Sequence, residues 1–122
     1  MKIFLSIAGA LALLFGFALL FFPQAFYAPT GMTLTPLLAT LAEAHGATLT
    51  GLGTINILAR TLDPRSAMPV LAGNLVVQVL SLGVVLHTMR LGAGLNVLPG
   101  VIIHVVLGGL FAWFYLRSRR SA

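Results

Sequence analysis

The sequence predicts an all-α integral membrane protein, a four-helix antiparallel transmembrane bundle built as one domain over residues 1–122. Three observations predict it. Apolar residues make up 59% of the chain and charged residues only 7%, against about 45–50% and about 25% in ordinary soluble domains. A chain of 122 residues cannot hide that much apolar surface from water, because small folds leave much of their surface exposed. Finally, four segments, roughly 3–22, 36–59, 67–89 and 97–116, each reach the about 20 residues that cross about 30 Å of hydrocarbon.

The first span runs from Ile3 to Phe22 behind Lys2. Its length exceeds the about 7–15 residues of a signal-peptide core, and "PQAFYAP" puts Phe26 two before Ala28, a poor cleavage site. It is therefore expected to be a retained helix, closed by Pro23. The link 23–35, "PQAFYAPTGMTLT", carries Phe26 and Tyr27, residues suited to a membrane interface. Thr35 followed by Pro36 reads as a helix cap with proline in the first helical position, opening span two. "DPRS" forms the turn before span three, with Ser66 the expected cap. "LGAGLN" breaks the chain before span four, with Asn96 the expected cap and Pro99 in the first turn.

Lys2, Arg60, Arg65, Arg117, Arg119 and Arg120 fall at one set of span ends, and Arg90 alone at the other. That bias places both termini and the 60–66 loop in the cytoplasm, with Trp113 and Tyr115 in an aromatic belt. The net charge of +5 thus belongs to the membrane surface, and no nucleic-acid partner is expected. With no cysteine in the chain, disulfides and thiolate metal sites are excluded.

Polar groups within the spans are few, and four of them lie in the outer half. Glu43 sits about 10 Å in from the outer end of span two, at the helical rise of about 1.5 Å per residue. His104 lies at a similar depth on span four, His45 slightly deeper than Glu43, and His87 near the outer end of span three. At about 100° per residue, Glu43 shares a stripe with Gly46, Ala47, Thr50 and Gly53, the small residues on which membrane helices pack closely. His104 shares one with Gly100 and Gly108, and span one offers Ser6, Gly9, Ala12 and Gly16. Turning these stripes inward puts Glu43 beside His104 as an intramembrane polar site, either a packing lock or a proton-coupled site. Asn74, Gln78 and Ser81 form a polar seam along span three, suited to interhelical hydrogen bonding. His45 and Asn56 point away from Glu43 and form a second face for another helix or subunit.

No metal spacing, elbow serine or paired carboxylate occurs, so the chain is expected not to be an enzyme and to hold no metal. Nor is a cofactor expected: His45 and His104 share a depth, but nothing sets them face to face as a haem site requires. The first reading is a small protein acting by interaction, as an accessory or assembly subunit of a larger membrane complex or as a homo-oligomer in lipid. One alternative is a small proton-coupled transporter using Glu43 and His104, and another is a lipid- or quinone-associated redox helper.

A first span ending in proline, "LLFFPQAFYAPTG", a glycine-rich second span ending in arginine, "GATLTGLGTINILAR", and a tightly linked hairpin after it carry a resemblance. The pattern is similar to that of the small uncharacterised bacterial four-helix membrane proteins grouped as DoxX-like, over most of the chain. The resemblance implies a compact helical bundle in the bacterial inner membrane and transfers no site residue. Small multidrug-resistance transporters share the size and a single membrane glutamate. Theirs lies in the first helix, whereas span one here has no ionisable group in its body.

Overall fold

The computed structural model describes residues 1–120; residues 121–122, the end of the expected domain, lie outside the described residues. Among the described residues the chain is helical, with no strand. The long helices are α1 (Lys2–Phe21), α3 (Pro36–Ala59), α4 (Met68–Thr88) and α5 (Leu98–Arg120), and α2 (Pro23–Tyr27) is short. They form two compact units, Lys2–Thr61 and Leu62 onward with Met1.

In the first unit α1 and α3 pack side by side, and glycine sets the distance. A Cβ on Gly16 would lie 2.8 Å from the Thr50 backbone nitrogen and 2.9 Å from the Gly46 carbonyl. One on Gly46 would lie 2.7 Å from the Gly16 carbonyl. One turn pair along, Gly9 and Gly53 meet in the same reciprocal way, at 2.9 and 2.8 Å. The two helices therefore cross backbone to backbone at two points, each point seven residues from the next on both helices. Leu5, Gly9, Gly16 and Leu19 on α1, and Ala42, Gly46, Gly53 and Asn56 on α3, are buried. Both rows follow a seven-residue repeat, which winds helices around each other so that the contact line stays with the partner.

Proline separates α1 from α2: Pro23 has no N–H to continue the ladder and starts the new helix at its first position. Phe26 meets Phe15 edge to face at 5.9 Å and Tyr27 at 5.4 Å. The Gln24 side chain then holds the link to the strand of chain before α3. Its Nε2 donates to the Leu34 carbonyl at 3.0 Å, and its Oε1 accepts from the Leu34 N–H at 3.4 Å. Thr35 caps α3, its hydroxyl oxygen accepting from the Leu38 N–H at 3.3 Å.

The second unit is a hairpin of α4 and α5. α4 begins behind Ala67 with no side-chain cap bond, so Ser66, the expected cap, does not cap it, and the turn before the helix is held by Asp63. Asp63 Oδ1 accepts from the N–H groups of Arg65 and Ser66 at 3.0 and 3.1 Å, and its carbonyl accepts from Ala67. A carboxylate two and three residues ahead of free N–H groups outcompetes a hydroxyl that lies inside the turn. The Ser66 hydroxyl, then the Ser66 N–H, hold the Asp63 carboxyl below its ordinary pKa. Its folded pKa being depressed, its contribution is present above the unfolded value and lost as pH falls through the folded one. Asp63→Ala should lower the melting temperature at neutral pH and make no difference in strong acid, where the carboxyl of the parent is protonated; a scan at both pH values checks this.

At the other end α4 passes through a π-helical turn (Met89–Ala93) and a 3-10 turn (Gly94–Val97) into α5. Gly92 and Gly94 take φ of 111° and 55° there, values that L side chains rarely adopt. Asn96 lies within the 3-10 turn, which makes no side-chain cap bond. Gly108 faces Gln78 and Gly100 faces Val85 at ordinary van der Waals distances, 3.4 and 3.6 Å from a Cβ. This hairpin is held by side chains, the first by backbone contact.

Two helical stretches, Lys2–Phe21 and Met68–Arg120, are long and apolar enough to cross a membrane, the second running through the kink at Gly92. The expected four equivalent apolar spans are thus reduced. α3 has 24 residues, enough to cross at about 1.5 Å each. Its threonines, glycines, Glu43 and His45 keep it out of that set.

Candidate functional site

Polar side chains gather in two places. Within the second hairpin, Asn74 and Gln78 lie one turn apart on the buried face of α4, and Ser81 follows half-buried. Asn74 is 2% exposed and donates from Nδ2 to the Val70 carbonyl at 2.9 Å. Gln78 Oε1 lies 2.7 Å from His104 Nδ1 across the hairpin. An amide oxygen only accepts, so Nδ1 carries the proton of that bond. Leu71 and Phe111 are fully buried in the same unit, so the bond forms where few other polar groups compete for it.

Glu43 and His104, expected to meet, lie in different units; within its own unit His104 bonds to Gln78 across the hairpin, and Glu43 is exposed on α3. A helical wheel puts Glu43 and Asn56 on opposite edges of the stripe of Gly46 and Gly53, two equally regular rows, and in the packed hairpin the buried line runs through Ala42, Gly46, Gly53 and Asn56. Glu43 falls beside that line and Asn56 falls into it. Asn56 is 1% exposed and His45 is exposed, so the pair does not form one outward face. His87 is also exposed, near the end of α4.

The second place is the exposed side of α3. The hydroxyls there are satisfied within the helix: Thr40, Thr48 and Thr54 donate to the carbonyls four residues back at 3.1, 3.1 and 2.9 Å. Such bonds let threonine sit in an apolar medium. Glu43 and His45 have no hydrogen-bond or ion-pair partner among the described residues.

Chemically, neither place assembles a nucleophile with a base. Among the described residues no three His, Cys, Asp or Glu side chains converge as a metal site would require. Two contacts had gone unread in the sequence. Arg117 lies over the Trp113 ring at 5.6 Å from its centroid, an i, i+4 spacing that could have suggested it. The Gln24 clamp on Leu34 has no such spacing signal. No family model matches the chain, and neither curated proteins nor solved structures give a match.

Proposed function

We propose that this chain is a small integral protein of a bacterial inner membrane that acts by association, as an accessory or assembly subunit within a larger membrane complex. Its four long helices are taken as four antiparallel crossings with both termini in the cytoplasm, the side marked by six of the seven basic residues. The observation that carries the reading is the exposed side of α3. A helix long enough to span lipid presents Glu43 and His45 there without partners among the described residues. Ionisable groups are costly in hydrocarbon and are found paired or facing protein, so this face calls for a polypeptide against it. The likeness to DoxX-like proteins points to the same setting.

Release from the native membrane into mild detergent, followed by native mass spectrometry, tests the reading. The expected species is heavier than one chain of 12.9 kDa by whole polypeptides at fixed stoichiometry. A bare single chain with lipid alone would sink it. Single cysteines placed at Arg65 and Arg90 should label from opposite sides of the membrane; labelling from one side overturns the four crossings.

A further inference from the structure

We propose that the cytoplasmic end of the α4–α5 hairpin binds an anionic phospholipid, with its phosphate in a cavity beside Arg117 and Ser118 and an acyl chain along the outer side of α5. The inference goes beyond association and rests on one part of the reading above, that α5 crosses the membrane. The cavity, of about 240 Å³, lies within the second unit and is lined by Met1, Pro64, Phe114, Arg117 and Ser118. The turn before α4 thus faces the end of α5 across it. Ser118 is 4% exposed, and its hydroxyl makes no hydrogen bond among the described residues. No side-chain oxygen or nitrogen there is sealed from solvent without a partner, so the hydroxyl opens onto the cavity that Ser118 lines. It can give its proton to an oxygen that enters.

Arg117 supplies the charge. Its guanidinium stands over the Trp113 ring, 5.6 Å from the centroid, a contact that holds the cation in place. A guanidinium has five N–H donors, so it can stand over a ring and still meet a phosphate bidentately. Arg117, Arg119 and Arg120 together occupy the last turn of α5. They offset the negative end of the helix dipole, which would otherwise repel an anion. Asp63 is not among the lining residues, and it turns its carboxylate to the N–H groups of Arg65 and Ser66.

The outer side of α5 selects the kind of phosphate. Val106, Leu110, Trp113 and Arg117 follow at spacings of four, three and four, within about 60° of one another around the helix. All are exposed, the first three at 53%, 38% and 53%. The row is apolar until it ends in the cation beside the cavity. From Val106 to Arg117 it runs about 16 Å at the helical rise, the depth of one leaflet of a hydrocarbon core about 30 Å thick. A free phosphate would use the cavity and leave the row bare. A phospholipid uses both, and basic pockets at the cytoplasmic ends of membrane helices suit such headgroups.

Trp113 is the one tryptophan of the chain, so its fluorescence reads lipid contact at this row without a label. Brominated acyl chains quench it on contact. In mild detergent, brominated phosphatidylglycerol should bind there about tenfold more tightly than a glucosyl diacylglycerol with the same chains, which carries no phosphate. Arg117→Gln and Ser118→Ala should each cut that ratio about three- to fivefold. Arg119→Gln and Arg120→Gln, outside the cavity, should each cut it less than about twofold at an ionic strength that screens exposed charges. A ratio near one in the parent, equal losses at the three arginines, or no loss in Ser118→Ala overturns the cavity as the phosphate site. Inorganic phosphate at fixed ionic strength should leave the ratio unchanged; if it displaces the lipid, the ligand is free phosphate and the lipid is overturned. Quenching by neither lipid would show that α5 does not lie in lipid, and the membrane reading would fall with the proposal.

Discussion

Gly46→Leu opens the first hairpin while leaving its helices formed. At Gly46 even a methyl carbon would sit 2.7 Å from the Gly16 carbonyl, 2.8 Å from the Leu20 nitrogen and 2.9 Å from the Leu19 Cβ. The first two of these are backbone atoms, which cannot rotate aside as a side chain can. Overpacking of a core by a methylene or so costs about 1–3 kcal/mol; a whole leucine here can be admitted only by parting the helices, so the loss should reach the top of that range or exceed it. Leucine is also the better helix former by nearly 1 kcal/mol. Circular dichroism should therefore hold or rise while resistance to detergent unfolding collapses. Gly16→Leu should behave alike, being the other half of the same contact. Gly73→Ala and Gly83→Ala are the controls, since a Cβ there meets nothing within 4 Å; they should be neutral or stabilising by about 0.5–1 kcal/mol. Equal effects at Gly46 and Gly73 would show that the close crossing does not hold the hairpin.

The second large effect concerns the bond between Gln78 and His104. His104→Leu removes a 2.7 Å partner from an amide that is 7% exposed. Leaving a buried polar group unmade costs about 1–3 kcal/mol. Interhelical bonds in membranes measure less, about 0.6 kcal/mol on average and about 1.7 at most, because the separated helices also find partners. A loss of about 1–2 kcal/mol in unfolding free energy is expected for His104→Leu, and a similar one for Gln78→Leu. The double variant should recover most of it, because an apolar pair of similar bulk leaves nothing unsatisfied. Additive losses in the double variant, measured by the same unfolding titration, would show that the two side chains contribute independently.

Much of the architecture was legible along the chain, because hydropathy and punctuation act locally. The helices at 2–21, 36–59, 68–88 and 98–120 stand within a few residues of the segments read from apolar run length, Pro23, Thr35 with Pro36, and the glycines before Asn96. The glycines that set the first crossing, Gly9, Gly16, Gly46 and Gly53, could be picked out as small-residue stripes because a helix puts such spacings on one side whatever it packs against. What escaped was how these stripes are spent. A wheel drawn at 100° per residue put Glu43 on the contact line with Gly46 and turned Asn56 away from it. In the folded hairpin the reverse holds: the Asn56 edge of the Gly46 and Gly53 stripe is buried and the Glu43 edge exposed, a choice between two equally spaced rows that only the packed partner makes.

Composition and run length, then, determined that this protein is helical, where its helices begin and end, and which glycines allow close approach. These follow from interactions within a few residues of chain. Only the tertiary structure decided the partners: Gln78 for His104, the two-point glycine crossing of α1 on α3, Asp63 as the acceptor that holds the turn before α4, and the exposure of Glu43 and His45. Each of those is a contest between groups far apart in sequence or between neighbours separated by a fraction of a turn. Such contests are settled by the packed partner and by reach, which no local pattern records.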